Sequence, residues 1–337
     1  MNSQMTLLEL PENRTIFRNL FNIAYGTKEP ILPLERIMHW QTVKENLPVQ
    51  TPELDKTQTL VLGGFFYNFS TPLLTATEIT SGLGFGREQK VTQFLIPTVR
   101  DDIDDGLLLE HGFKKIPWFV ESIFDIESDV DTDLRARVGA KRSRELSRLA
   151  EKAAQSYSYE WLDAKRLQAT PELIRQIAEL HQQNIEKYRH TVNLYPSEVL
   201  AAIIESPLSS HLTVLCRREI SSQTLVQVAI CMKDDERKQL YVLVQGKDYA
   251  HDSAGQNLYN SLFYEFYRYA AQCGLKTVYL GRGNHALKKR LGANRFRVLN
   301  NWILTEDRTI QKQLDQVIEA ARDSLRLTET EGSHEKQ

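Results

Sequence analysis

Between Leu280 and Gly292 the chain places Arg282, His285, Lys288, Lys289 and Arg290 around a strand-to-helix turn. A cation fixed at such a turn can stabilise negative charge that develops on a reacting oxygen. His285, whose ordinary pKa sits near neutrality, can take a proton from an attacking amine. The same residues also make a plain solvated basic helix surface, and a lone loop histidine is commonly a bystander. Tyr241, Asp248 and Tyr249 lie at or just beyond a β-type run. The two phenols can donate to a leaving group and the carboxylate can orient or deprotonate an amine, against a reading as ordinary turn packing. Ser253, Ala254, Gly255, Gln256 and Asn257 open a helical pattern, where unpaired N–H groups and partial positive charge suit a phosphate. Gly255 permits close backbone approach, and a plain serine-capped helix start is the alternative. A stripe of Arg137, Lys141, Arg144, Arg148 and Lys152 recurs at spacings of 4, 3, 4 and 4. It suits a phosphodiester backbone or a phosphorylated donor, or it is a solvated face partly offset by Glu145.

The elements that would hold these groups are clearest in the second half. Thr170-Pro171-Glu172 starts a helix carried on by Leu173, Ile177, Leu180, Asn184 and Tyr188. Ser197 to Ile204 is a short helix ended by Pro207. Leu212–Cys216, Leu225–Met232 and Leu240–Gln245 read as strands. Gln256–Cys273 reads as a helix apolar on nearly every side, stopped by Gly274. Lys276–Leu280 is a strand, Asn284–Leu291 a short helix and Phe296–Leu304 a final strand. Ile310 to Leu325 suggests a docking helix before a polar tail. In the first third, Ile16–Tyr25 and Leu34–Asn46 have helical lengths, Thr57–Phe69 and Trp118–Ile126 are β-type, Val91–Ile96 and Leu107–Glu110 are weaker strands, and Ser81–Gly86 reads as a glycine-rich turn. No internal repeat is legible.

Charge switches abruptly along the chain. Pro97–Asp133 carries eleven acids and three Lys/Arg, whereas Leu134–Lys152 carries seven Lys/Arg and two acids. The basic stretch has a helical register, with Leu134, Val138, Leu146, Leu149 and Ala153 on one side. It is expected to run as one helix over Asp131–Ala153 with Leu146 and Leu149 buried. A boundary before it gives expected domains at 1–130, a connecting helix at 131–155, a second domain at 156–305, and a C-terminal helix and tail at 306–337. At 337 residues two domains are the prior. A formal net charge of −2 provides no global field for nucleic acid or membrane. Cys216, Cys231 and Cys273 are widely spaced and odd in number, which fits core thiols in reducing cytosol. No signal design, spanning apolar run, metal-ligand spacing, Walker loop or Gly-x-Ser-x-Gly elbow is present. The expectation is a cytoplasmic protein with no membrane partner and no metal.

The stretches AGQNLYNSLFYEFYRYAAQCGLKTVYLGRG and HALKKRLGANRF, in that order after a three-strand run, resemble the GNAT superfamily of N-acyltransferases. The second is similar to the Lys-x-Arg-Leu-Gly turn of its FemAB/FemX-like and BioF2-like double-GNAT branch, with Lys288, Arg290, Leu291 and Gly292 in the matching places. LLLEHGFKKIPWFVESIFDI resembles the close of an earlier GNAT-like unit, and the basic helix resembles the Arg-rich helix joining the halves. The resemblance implies an α/β fold of two GNAT-like domains with mixed central sheets flanked by helices. It also implies transfer of an acyl or aminoacyl group to a small-molecule or peptide amine. Acyl-CoA is the favoured donor, aminoacyl-tRNA the alternative (with tRNA then a partner), and a non-catalytic binding module the third reading. Lys288 would be the oxyanion cation, with Arg282 second, and Ser253 to Asn257 the donor loop. That loop departs from the family's Arg/Gln-x-x-Gly-x-Gly/Ala pattern, and LYVLVQ lacks the strand glutamate many members use as general base.

Overall fold

Glycines that look like loop punctuation turn out to be packing devices. The structure is a computed structural model describing residues 6–26, 32–33, 59–62, 74–188, 193–250 and 258–320. The expected helix at 34–46, most of the β-type run at 57–69 and the donor loop at 253–257 lie outside the described residues. The stretch expected as a glycine-rich turn, 81–86, is instead the interior of a helix, Ala76–Glu88. Thr75 and Glu78 cap it reciprocally, through Glu78 N to Thr75 Oγ1 at 3.2 Å and Thr75 N to the Glu78 carboxylate at 2.8 Å. A Cβ at Gly82 would stand 2.7 Å from Leu62 Cδ2, and one at Gly86 2.3 Å from the Phe94 ring. The glycines therefore let helix and strand approach, which outweighs their poor helix propensity.

The chain divides into two compact units, Met1–Phe119 with Val298–Gln337, and Val120–Arg297. The first begins with α1 (Arg14–Tyr25), whose apolar side buries Phe17, Leu20, Phe21 and Tyr25 and which ends at left-handed Gly26. Strand β1 (Leu32–Pro33) pairs antiparallel with β2 (Thr59–Val61), and β2 runs parallel to β3 (Gln93–Arg100) across the helix just described, α2 (Ala76–Glu88). Then come α3 (Gly106–Glu110), which replaces the weak strand expected at 107–110, and β4 (Lys114–Asp125). A helix over residues 308–320 buries Ile310, Leu314 and Val317.

The second unit contains α4 (Val130–Ser156), β5 (Tyr157–Asp163), α5 (Ala164–Gln168), α6 (Pro171–Lys187), α7 (Ser197–Glu205), β6 (Leu212–Glu219), β7 (Leu225–Asp234) and β8 (Gln239–Lys247). It continues through α8 (Leu258–Gln272), β9 (Thr277–Arg282) and α9 (His285–Arg290) into β10 (Arg295–Thr305). The strand order is β4-β9-β8-β7-β6-β5. One face is covered by α4 and α8 through Leu134, Leu146, Ala150, Leu262, Phe266 and Tyr267, packed on Leu215, Ala229, Leu240, Val242 and Val278. On the other face α6 lies so close to β8 that a Cβ at Gly246 would meet the Leu180 and His181 backbone at 2.6 Å. Strand β5 escaped the sequence reading because it directly continues α4, although Tyr157, Tyr159 and Trp161 alternate with exposed Ser158 and Glu160.

A repeat is visible in the connections. The run β2-α2-β3-α3-β4 recurs as β8-α8-β9-α9-β10: two parallel strands joined by a crossover helix, a short helix, a left-handed glycine (Gly112, φ 81°; Gly292, φ 105°), and a long strand. The last strands are exchanged. β4 pairs antiparallel with β9, and β10 pairs antiparallel with β3. This places the unit limits inside β4 and β10 rather than near the expected bounds at 130, 155 and 305.

The basic helix is not continuous. Gly139 has φ 80° and ψ 159°, so α4 is two helical pieces meeting there. Leu146 is buried as expected, and Leu149 is half-buried. That backbone region is open essentially to glycine alone. Gly139→Ala is expected to destabilise the protein by roughly 1–3 kcal/mol, read as a lower urea midpoint. An unchanged midpoint would show that the break is not enforced.

Candidate functional site

At the end of β9, Gly281 and Gly283 take left-handed angles (φ 68° and 77°) and Asn284 (φ 44°) caps α9 through its Oδ1 on the Leu287 amide at 3.4 Å. This turn folds α9 back over the strand end and buries Lys288 to 4% exposure. Its Nζ donates to the carbonyls of Gly281 at 3.0 Å and Arg282 at 2.8 Å. Burial pushes the Lys288 pKa down to about 7, neighbouring Arg282 acting in the same direction and Glu121 against it. Two carbonyls occupy two of the three donors an ammonium offers.

Beside it stands a buried polar series that the sequence reading missed. The β4 residue Glu121, fully buried, faces Arg282 across the β4–β9 ladder. Arg297 donates Nε and Nη2 to Glu121 Oε2 at 2.9 and 2.5 Å, and its guanidinium lies 5.5 Å from the Tyr279 ring centroid. Tyr279 stacks on Tyr241 at 4.7 Å, and the Tyr241 hydroxyl donates to Gln239 Oε1. The parallel β8–β9 ladder ends at Tyr241 opposite Tyr279, whereas β8 runs on to Lys247. Its register against β7 shifts between Ile230 and Cys231, leaving Leu243 as an extra residue. The tyrosine pair therefore sits at a fork, with Arg297 over Tyr279 and with Glu121 acting on both Arg297 and Lys288. Cations gathered at such a fork suit an anionic oxygen. An acid inside WFVESIFD and an arginine inside RFRVL were the available signals, and both read as ordinary strand alternation.

His285, at the first position of α9, has its pKa lowered by burial and then by Lys288 and Lys289, so it is unprotonated at neutral pH and open to accept a proton. Asp248 and Tyr249 belong to a different group, beyond the far end of β8. Asp248 Oδ1 accepts from the Ala250 amide at 2.8 Å, and the Tyr249 hydroxyl donates to Asn184 Oδ1 at 2.5 Å. On α4, Arg137 is held by Glu127 at 3.2 Å and lies 4.6 Å from the Phe124 ring centroid, whereas Lys141, Arg144, Arg148 and Lys152 are exposed. Ser253, Ala254, Gly255, Gln256 and Asn257 lie outside the described residues.

A second buried cation braces the first turn of α8. Arg217 is fully buried and donates to Gln227 Oε1 at 2.6 Å, Leu258 O at 3.0 Å, the Tyr159 hydroxyl at 2.6 Å and Ser261 Oγ at 2.9 Å. Cys216 and Cys231 are buried, their thiols pushed up by desolvation, Cys216 to about 12. Neither is a nucleophile at neutral pH. Among the described residues no helix is long and apolar enough to cross a membrane, and no group of three or more His, Cys, Asp or Glu could hold a metal ion.

No family model and no curated protein matches the sequence. Solved structures do. An L-PGS from Bacillus licheniformis is similar over 95% of this chain and 99% of its own, with a TM-score of 0.56 at 10% identity. The C-terminal domain described as that of a lysylphosphatidylglycerol synthetase from Agrobacterium fabrum is similar over 77% of this chain and 82% of its own, with a TM-score of 0.55 at 9% identity. A tandem GNAT protein from the clavulanic acid biosynthesis pathway matches over 74% and 75% with a TM-score of 0.43 at 13% identity. With its mixed sheet flanked by helices, its crossover helices and its repeated β-α-β-α-β run, the chain has a mixed α/β fold shared with the Bacillus licheniformis and Agrobacterium fabrum structures.

Proposed function

We propose that the protein is a transferase that moves an acyl or aminoacyl group from a bound carrier to an amine. The observation that carries this reading is the buried group of Lys288, Arg297 and Glu121, with half-buried Arg282 beside it, at the fork between β8 and β9. Attack of an amine on an ester or thioester carbonyl puts negative charge on oxygen. A fixed cation in a dry site stabilises that charge far more than water-exposed lysine does. Neutral His285 supplies a base for the proton the attacking amine must lose. Holding amine and carbonyl together adds to the rate without further chemistry.

Of the two donors, an aminoacyl ester of tRNA is now favoured over acyl-CoA, the reverse of the sequence-based order. The full-length similarity to an L-PGS supports it, as do the exposed cations Lys141, Arg144 and Arg148 along α4. The acyl-CoA reading rests on the fork itself, where separated parallel strands can admit a slender thioester arm. A transfer assay with aminoacyl-tRNA and with acetyl-CoA, across a panel of amines, tests both. If tRNA lies along α4, changing Lys141, Arg144 and Arg148 together to glutamine lowers its affinity and flattens the slope of log K against log salt by about 2–3. A folded triple variant with full transfer and an unchanged slope removes tRNA from this surface.

A further inference from the structure

Three ionic side chains meet in the dry interior beside the β8–β9 fork: Glu121 from β4, Lys288 from α9 and Arg297 from β10, all buried. Glu121 pairs with Arg282 in the antiparallel β4–β9 ladder. Lys288 Nζ is tied to the carbonyl of that same Arg282 at 2.8 Å, and to that of Gly281 at 3.0 Å. The ammonium thus hangs on the backbone of the carboxylate's ladder partner. The two cations use the carboxylate differently. Arg297 takes Oε2 with two N–H groups, at 2.9 and 2.5 Å. Lys288 gives its hydrogen bonds to carbonyls and feels Glu121 through charge alone.

Arginine keeps its proton at any working pH, whereas a buried lysine gives its proton up readily. Of the two buried cations, Lys288 is therefore the one that can change charge, and its neighbours decide when. Most of these are cations. On α9 itself stand His285, Lys289 and Arg290, and β9 brings Arg282. From α4, Arg142 Nε donates to the Arg290 carbonyl at 3.5 Å, and Arg137 is already paired with Glu127 and Asp133. From α8, the Tyr267 hydroxyl donates to the Leu291 carbonyl at 3.1 Å. The carboxylate that acts on Lys288 is Glu121. We infer that Glu121 is a positioning residue for the transfer: it acts through Lys288, keeping that lysine charged while a carbonyl is attacked, and Arg297 sets how much of the carboxylate's charge reaches it. The inference rests on the transferase reading for the use of that charge and not for its presence. Two opposite effects follow. Without the carboxylate, Lys288 loses its proton at lower pH; without Arg297, it holds the proton to higher pH. A residue that merely braced two strands would move neither.

The test follows the Lys288 ammonium by nuclear magnetic resonance across a pH series, in full chain carrying isotope-labelled lysine, with Lys288→Met identifying the resonance. Glu121→Gln is expected to lower the pH of half-charging by about one unit, a tenfold loss of proton affinity, and to bring the alkaline limb of the transfer rate down with it. Arg297→Gln is expected to raise both. Glu121→Gln leaves Arg297 buried without a carboxylate and can fail to fold. The double variant, with an amide pair in place of the ion pair, then stands in for it. Compared with Arg297→Gln alone, it differs only in the carboxylate's charge and should titrate about one unit lower. A folded Glu121→Gln protein with an unmoved titration, or a double variant that titrates with Arg297→Gln, overturns the inference. Because the lysine is read without turnover, this failure is separable from failure of the transferase reading. A titration that moves as expected, in a protein that transfers to no amine, leaves the Glu121 assignment standing and removes the reaction. Transfer by the parent with an unmoved titration in the variants does the opposite.

Discussion

Replacing Lys288 by methionine is expected to lower the transfer rate by 10²–10³-fold, the usual cost of removing one fixed oxyanion donor, while the protein still folds. The same variant carries a signature in stability that separates it from general damage. In the parent the folded pKa of about 7 lies below the ordinary 10.5. Between those values the unfolded chain therefore binds more protons than the folded one, and stability rises with pH from about 7 to about 10.5. Below about pH 7 the penalty of a buried charge is fully present. Urea midpoints measured across this range should climb in the parent and lose that climb in Lys288→Met. Activity runs the other way on the alkaline side, because the charged fraction of Lys288 falls above about pH 7. Lys288→Arg should move that falling limb to higher pH. A Lys288→Met protein that transfers as fast as the parent would take the cation out of the mechanism.

Arg217→Met is expected to be the most destabilising single change, by roughly 3–5 kcal/mol. The guanidinium is fully buried and its donors reach Gln227, Tyr159, Ser261 and the Leu258 carbonyl, so it ties β5, β6 and β7 to the first turn of α8. Methionine refills most of the volume but leaves buried Gln227 Oε1 without the guanidinium, while the Leu258 carbonyl keeps only its bond from the Ser261 hydroxyl. Arg217→Lys should recover only part of the loss, since one ammonium cannot span the same four partners. A thermal or urea transition of Arg217→Met matching that of the parent would show that water enters and replaces the arginine.

The second unit was largely legible because its strands are short apolar runs between polar turns and its helices carry capping and stop residues. The described residues between Leu212 and Thr305 fold into the strands and helices their patterning implies. Lys288 could be singled out because HALKKRLGANRF resembles the Lys-x-Arg-Leu-Gly turn, which no composition or spacing argument would have supplied. Glu121 and Arg297 could not, since they are 176 residues apart and meet only after the strand exchange. Gly82 and Gly86 misled for a local reason. A glycine that opens a turn and one that admits a packed Leu62 or Phe94 look the same until the partner is known. Gly139 misled in the opposite sense, since a 3.6-residue register runs through it although the backbone does not. Arg217 lies just past the apolar run Leu212–Cys216, and only its partners on β5, β7 and α8 make it a brace.

The exchange of β4 and β10 also sets a timetable for synthesis. Strand β3 pairs with β2 on one side and β10 on the other. Until residues 299–305 leave the ribosome it is a bare sheet edge, the kind of template on which nascent chains aggregate. At 5–20 residues per second, some 200 further residues take roughly 10–40 s to emerge. The N-terminal unit must wait that long for its last strand, and a chain that stops before β10 carries an unfinished sheet rather than a finished domain.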